Sequence, residues 1–128
     1  MNLEGWQCPP KPDLDRKVKF SCPILDDQLG PSIRAGNILE LCGEAGSAKT
    51  QFCLHLALET VRQHNDNRVL YVVTERAFPS KRVEQILASN KLSEGLLDRI
   101  IIKNVRESVS SSLIYDFLKN FNCIGSFL

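Results

Sequence analysis

Residues 37–51 of this chain read NILELCGEAGSAKTQ, and this stretch decides the predicted fold. The apolar residues Ile38, Leu39 and Leu41 lead into Gly43, and a loop of small residues follows. Lys49 and Thr50 then open a helical pattern of apolar residues. A buried strand, a loop of phosphate size and a helix, in this order, form the frame of a phosphate-binding loop. The stretch therefore predicts an α/β fold with a P-loop.

One position of the loop departs from the usual pattern. The pattern G-x-x-x-x-G-K-(S/T) would place glycine at position 48, where this chain has Ala48. The loop needs unusual backbone angles next to Lys49, so the methyl group of Ala48 is expected at a positive φ, which costs roughly 1 kcal/mol or somewhat more. A cost of this size would weaken nucleotide affinity about tenfold without abolishing it.

The predicted loop has the chemistry to hold nucleotide phosphates. A helix N-terminus offers unpaired N–H groups and the positive end of a dipole, and small residues let those groups surround phosphate oxygens. Lys49 would neutralise the β and γ phosphates as a catalytic residue, and Thr50 would bring its hydroxyl to Mg²⁺. The alternative is an ordinary strand-to-helix turn that contains glycines. The predicted binding residues are Gly43, Glu44, Ala45, Gly46, Ser47, Ala48, Lys49 and Thr50.

Composition bounds the class of protein. The 128 residues suffice for one domain at most, and a net charge of +1 without a strong basic patch does not indicate a nucleic-acid-binding surface. The longest apolar runs have the length of strands, so no membrane contact is expected. Five cysteines without a C-x-x-C motif predict reduced thiols in the cytosol or nucleus. His55 and His64 lack partners at metal-ligand spacing.

Apolar periodicity predicts alternating strands and helices, and this order favours a parallel sheet with flanking helices and right-handed crossovers. Residues 1–19, which contain three prolines, are expected to be an N-terminal linker or tail. The predicted helices are a short one within residues 21–29, a long one over 49–64, one capped by Ser80, and a last one over 108–121, and the predicted strands cover 37–42, 68–74 and 99–105.

Glu75 follows the second predicted strand, at the edge where ligands gather in open α/β sheets. One interpretation is a general base that polarises the water attacking the γ phosphate. The other is a solvated carboxylate at a strand end. Position alone does not separate these two interpretations.

Three stretches resemble the recombinase paralogues of the RecA family, which act in double-strand-break repair. They are CPILDDQL at residues 22–29, GEAGSAKTQFCLHLAL at 43–58 and VLYVVTERAFPSKRVEQIL at 69–87. The resemblance covers residues 20–121 and implies a partial RecA-like P-loop NTPase core that binds ATP and Mg²⁺. It also implies that Glu75 matches the catalytic glutamate of the family.

The chain also departs from this family. Gly30, Pro31 and Ser32 stand where the family has a glycine pair, and residues 122–128 diverge as a C-terminal tail. The chain stops before the family's next strand, whose terminal Asp holds Mg²⁺ through water. In the family the later strands lie between the phosphate-loop strand and the strand before Glu75, so open sheet edges are expected. We therefore expect a C-terminally truncated isoform or incomplete gene model that is poorly stable and catalytically inactive by itself.

The leading hypothesis is a DNA-dependent ATPase-type paralogue of homologous recombination, located in the nucleus or also the cytoplasm. The resemblance implies that it contacts another recombinase paralogue and the strand-exchange recombinase, with DNA contacts in the full-length protein. Alternatives are a non-catalytic adaptor subunit of a paralogue complex, for which Ala48 marks a relaxed demand for hydrolysis, and a small P-loop phosphotransferase.

Overall fold

The structure is a computed structural model that describes residues 17–31, 33–34, 37–73 and 77–104. Glu75, the predicted last helix over residues 108–121 and the predicted C-terminal tail over 122–128 lie outside the described residues, and so do residues 1–16 of the predicted N-terminal tail. None of the helices within the described ranges is long and apolar enough to cross a membrane. The elements in chain order are α1 (Pro23–Leu29), α2 (Lys49–Gln63), β1 (Val69–Val73), α3 (Ser80–Ser89), a 3-10 helix (Glu94–Arg99) and β2 (Ile100–Asn104).

The described strands form a two-stranded parallel sheet. Val69 pairs with Ile100 at one end of the ladder, and Val73 pairs with Asn104 at the other. The chain between β1 and β2 carries α3 and the 3-10 helix, as a parallel connection requires. The second and third predicted strands and their parallel pairing are therefore confirmed.

The first predicted strand is wrong, because residues 37–42 form neither a strand nor a helix. A strand is defined by hydrogen bonds to a neighbour, and within the described residues the sheet contains β1 and β2 alone. The side chains of this segment still alternate: Leu39 and Leu41 pack against the hydrophobic core, whereas Ile38 is 93% exposed. The segment was predicted as a buried strand, but one of its faces is open to water, and no strand pairs with it among the described residues.

Helix α2 is the centre of the larger hydrophobic cluster. Its apolar residues recur at helical spacing, so that Leu54 and Val61 are the largest fully buried side chains of the described residues. Burying a side chain of this kind contributes about 1.5–3 kcal/mol. The helix prediction over residues 49–64 is confirmed. The buried members of the cluster are Cys53, Leu54, Ala57, Leu58, Val61, Val69, Tyr71, Val83, Ile86 and Leu87.

The segment before the phosphate loop packs on another side of α2. Val18, Phe20 and Ile33 form a second cluster with Leu56 of α2. The Phe20 ring lies 4.6 Å from the ring of Phe52, measured between centroids. The predicted short helix is confirmed as α1. This cluster ties the chain on both sides of α1 to the helix that follows the loop.

The spacing of polar residues along α2 predicts a polar stripe that includes Glu59, but Glu59 is buried. The residue is 7% exposed and lies under the segment that precedes α1. The Ser21 hydroxyl donates to its carboxylate at 3.1 Å, and Arg62 Nε and Gln63 Nε2 donate to it at 3.0 Å and 2.7 Å. Burial acts against the charge, but these hydrogen bonds and the Arg62 cation outweigh it and lower the pKa of Glu59. Spacing along α2 could not reveal a partner that is 38 residues away.

Helix α3 begins at Ser80, but Ser80 does not cap it as predicted. Pro79 occupies the capping position, and no side chain caps this end. The Ser80 N–H instead donates to the Phe78 carbonyl at 2.8 Å, so this residue is already inside the turn that starts the helix. The predicted apolar face is confirmed, since Val83 and Ile86 are buried against the core.

An aromatic contact holds the end of β1 close to the start of α3. The rings of Tyr71 and Phe78 meet edge to face, with centroids 5.2 Å apart. The Tyr71 hydroxyl is buried without a hydrogen-bond partner among the described residues, and burial raises its pKa to about 12. The phenol therefore stays neutral at physiological pH and acts as part of the core.

Candidate nucleotide-binding site

A thin exposed loop connects residues 37–42 to helix α2. The Ser47 N–H donates to the Glu44 carbonyl at 3.2 Å and closes a tight turn. Gly46 lies at φ 82°, where glycine is favoured. All residues from Gly43 to Ala48 are exposed, so the loop is open to a ligand along its whole length.

Ala48 has the left-handed backbone conformation that its position in the motif predicts. Its φ is 63° and its ψ is 17°, immediately before the first residue of α2. The left-handed region costs a residue with a Cβ atom about 1–2 kcal/mol. The Ala48 carbonyl accepts the first bond of the helix from Phe52 at 2.9 Å. The expected positive φ of Ala48 is thus confirmed, and it lies directly beside Lys49.

Gly43 is required by the closeness of Ser47. A Cβ atom on Gly43 would lie 2.5 Å from the Ser47 hydroxyl oxygen and 3.2 Å from the Ser47 Cβ. Real Cβ atoms do not approach so closely, so any larger residue at position 43 would force the Ser47 side chain to shift. The glycine at the start of the loop therefore sets how tightly the loop closes.

The Lys49 ammonium is folded back onto this loop. Its Nζ donates to the carbonyl oxygens of Gly43 and Glu44, each at 2.7 Å, and to the Ser47 hydroxyl at 3.1 Å. Lys49 is the first residue of α2, so its cation sits at the positive end of the helix dipole. The structure thus brings Gly43, Glu44, Ser47 and Lys49 together.

The N-terminus of α2 has the donors that an anion needs. No side chain caps this 15-residue helix, so its first N–H groups are not used by a capping oxygen. Lys49 adds a full positive charge. Thr50, the second residue of the helix, is exposed and carries a hydroxyl group. This set of groups fits nucleotide phosphates with a magnesium ion, with Thr50 as the residue that would hold the metal.

Cys42 precedes the loop as an exposed free thiol. A hydrogen bond to the side chain of Glu40, together with the negative charge of that carboxylate, raises the pKa of the Cys42 thiol. The thiol is therefore mostly protonated at neutral pH and is a poor nucleophile. No group of three or more His, Cys, Asp or Glu residues in the described part of the chain could hold a metal ion.

Arg82 contacts the site through a hydrogen bond that spacing does not reveal. Its Nε donates to Gln51 Oε1 at 2.7 Å, which links α3 to the first turn of α2. Gln51 follows Lys49 and Thr50, so the pair lies next to the loop. Arg82 lies in one of the stretches that carry the family resemblance, but the sequence assigns it no partner. The two residues are 31 positions apart, so no local pattern predicts the contact with Gln51.

Glu75, the predicted catalytic carboxylate, lies outside the described residues. The structure describes the chain on both sides of it, up to Val73 and again from Ala77. Its role as a general base stays a prediction.

A lysine-bearing loop at the N-terminus of a helix, packed beside a parallel sheet, defines a P-loop NTPase core. A sequence model of the Rad51 family matches residues 17–113 of this chain. The chain belongs to the Rad51 family, and its fold is a portion of the RecA-like core. The predictions of a RecA-family paralogue and of a partial α/β core are confirmed.

Named relatives support this assignment. DNA repair protein XRCC3 of Bos taurus is 31% identical over 101 residues, which cover 76% of this chain and 30% of that protein. XRCC3 of Mus musculus is 32% identical over 102 residues, which cover 73% of this chain and 29% of the relative. DNA repair and recombination protein RadB of Methanococcoides burtonii is 37% identical over 86 residues, which cover 66% of this chain and 37% of that protein. The chain thus spans about a third of the length of these curated relatives.

Proposed function

We propose that this chain carries the ATP-binding portion of a recombinase paralogue that acts in homologous recombination and double-strand-break repair. The observation that carries the proposal is the Lys49 ammonium at the N-terminus of α2, inside a glycine-containing loop. Membership of the Rad51 family supports the repair role, since the relatives are named for DNA repair and recombination. The same membership favours this function over a small P-loop phosphotransferase.

In this proposal each site residue has one task. The loop from Gly43 to Ala48 surrounds the phosphates, Lys49 neutralises their developing charge, and Thr50 holds Mg²⁺. Glu75 orients the attacking water as a general base. When bound, Mg²⁺ supplies charge stabilisation to the transferring phosphoryl group. DNA-dependent hydrolysis is proposed for the full-length protein, which the present chain represents in part.

The proposed partners are another recombinase paralogue and the strand-exchange recombinase, with DNA bound by the full-length protein. The proposed location is the nucleus, and also the cytoplasm. The thiols of Cys22 and Cys42, which form no disulfide within the described part of the chain, are compatible with these reducing compartments.

A titration with Mg·ATP tests the proposal on a chain extended to the length of the relatives. We expect saturable binding that Lys49→Ala weakens at least about tenfold, because a charge-assisted contact to phosphate is lost. The control Lys103→Ala removes an exposed charge of β2 and should bind as the parent does. Failure of the extended chain to bind Mg·ATP would sink the proposal.

Replacing Ala48 by glycine should tighten nucleotide binding. Glycine adopts the observed φ of 63° without the penalty of a Cβ atom, so the loop reaches its binding shape at a lower cost. We expect affinity for Mg·ATP to rise by up to about tenfold in calorimetric titrations of the extended chain. An unchanged affinity would show that the left-handed residue does not limit binding.

A second candidate function is a non-catalytic adaptor, which the positive φ of Ala48 favours. An adaptor that does not depend on hydrolysis tolerates a strained loop. In that case Ala48→Gly raises ATP turnover without improving repair in cells. Loss of repair by Lys49→Ala would exclude the adaptor, whereas normal repair by Lys49→Ala would support it.

A further inference from the structure

The Lys49 ammonium has three N–H donors, and the loop itself engages all three. Two go to the carbonyl oxygens of Gly43 and Glu44, and the third goes to the hydroxyl oxygen of Ser47. The carbonyl contacts belong to the backbone and cannot be removed by substitution. The contact with Ser47 is the one that depends on the identity of a side chain.

The shape of the loop places the Ser47 hydroxyl at this position. The hydroxyl oxygen lies where a side chain on residue 43 would begin, 2.5 Å from the Cβ position of Gly43. The Lys49 Nζ lies 3.9 Å from the same position. The space beside Gly43 is therefore filled by the hydroxyl of Ser47, between the start of the loop and the lysine. The turn bond from the Ser47 N–H to Glu44 fixes the backbone that presents it.

We propose that Ser47 is an affinity-determining residue that holds Lys49 on its own loop in competition with phosphate. This inference rests on the proposed nucleotide-binding function and deepens it. In this proposal the N–H group that contacts Ser47 is the one that turns to a phosphate oxygen, and its contact with the hydroxyl is then lost. An interaction made in one state and lost in the other lowers the apparent affinity for the ligand that favours the second state.

The carbonyl oxygens of Gly43 and Glu44 still accept from Lys49 when Ser47 is replaced, so Ser47 contributes only modestly to holding the ammonium on the loop. The contact is exposed to water, which weakens it further. We therefore expect Ser47→Ala to strengthen Mg·ATP binding about threefold. Ser47→Thr keeps a hydroxyl and should stay close to the parent affinity.

The first experiment measures Lys49 itself, without nucleotide. The full chain is acetylated with an amine-reactive ester, and mass spectrometry compares the rate at Lys49 with the rate at exposed Lys103. We expect Ser47→Ala to raise the relative rate at Lys49 about threefold, because an ammonium that has lost one of its three contacts with the loop is more accessible to the reagent. Ser47→Thr and the control Ser89→Ala, an exposed position at the end of α3, should leave the rate unchanged.

The second experiment titrates Mg·ATP into the same variants of the extended chain. Tighter binding by Ser47→Ala together with faster labelling of Lys49 supports the inference. Weaker binding would identify Ser47 as a phosphate ligand and overturn it, as would an unchanged labelling rate. Faster labelling with no ATP binding in any variant would sink the proposed function and leave the lysine contact established.

Discussion

The two segments that flank the phosphate loop differ in how they reach a stable conformation. Helix α2 on one side satisfies its backbone hydrogen bonds within its own residues and buries one face against the rest of the core. Residues 37–42 on the other side form no helix, and a strand there would need a neighbouring strand to satisfy its backbone hydrogen bonds. The same loop thus joins a segment that satisfies its own backbone hydrogen bonds to one that needs a neighbouring strand.

The difference is visible in single side chains of similar chemistry. Leu54 of α2 is 2% exposed, whereas Ile38 of the extended segment is 93% exposed. Leu39 and Leu41, next to Ile38, are half-buried against the two clusters. One face of the extended segment is therefore covered by the helix layer, and the opposite face is open to water. Substitutions in the two segments should differ accordingly.

The largest effect is expected for Leu54→Ala. The side chain is fully enclosed by the main cluster, so its removal leaves a cavity and should cost about 2–5 kcal/mol of unfolding free energy. Urea denaturation followed by circular dichroism measures the change. The volume-conserving control Leu54→Met should cost less than about 1.5 kcal/mol. If Leu54→Ala lowered the unfolding free energy by less than about 1 kcal/mol, α2 would not be the centre of the main hydrophobic cluster.

A smaller loss is expected for Glu59→Gln. The amide keeps the shape but removes the charge that pairs with Arg62 and accepts from Ser21. The expected cost is about 1–2 kcal/mol at neutral pH, measured by urea denaturation. Glu84→Gln, an exposed site on α3, is the matched control and should change little.

The pH dependence gives this prediction a second readout. The pKa of Glu59 is lowered from its ordinary value of 4.5, so the folded state holds its proton less tightly than the unfolded state does. Its contribution to stability is therefore complete above pH 4.5 and is lost as the pH falls through the folded-state value. The stability difference between the parent and Glu59→Gln should shrink on acidification below that pH. A difference that grows instead would contradict the assignment.

Predictions from the sequence succeeded for features that depend on neighbouring residues and failed for features that depend on distant ones. The positions of α1, α2, α3 and both strands follow from local periodicity, and the left-handed Ala48 follows from its place in the loop motif. The failure at residues 37–42 concerns a partner strand, which a local pattern cannot supply. Glu59 and Arg82 were misjudged or missed because their partners, Ser21 and Gln51, are distant along the chain. Local patterns thus predicted the elements and the loop, and contacts across the fold escaped them.

The smallest effect is expected for Ile38→Ala. Since this side chain contacts almost nothing, its truncation should change the unfolding free energy of the 128-residue chain by less than about 0.5 kcal/mol. The same substitution in a chain extended to the length of the relatives provides the contrast. If added strands pair with residues 37–42 and cover their open face, Ile38→Ala should there cost at least about 2 kcal/mol, the loss expected of a buried isoleucine. Equal and negligible losses in both chains would mean that the exposure of Ile38 belongs to the segment itself, and the explanation by an absent neighbouring strand would fail.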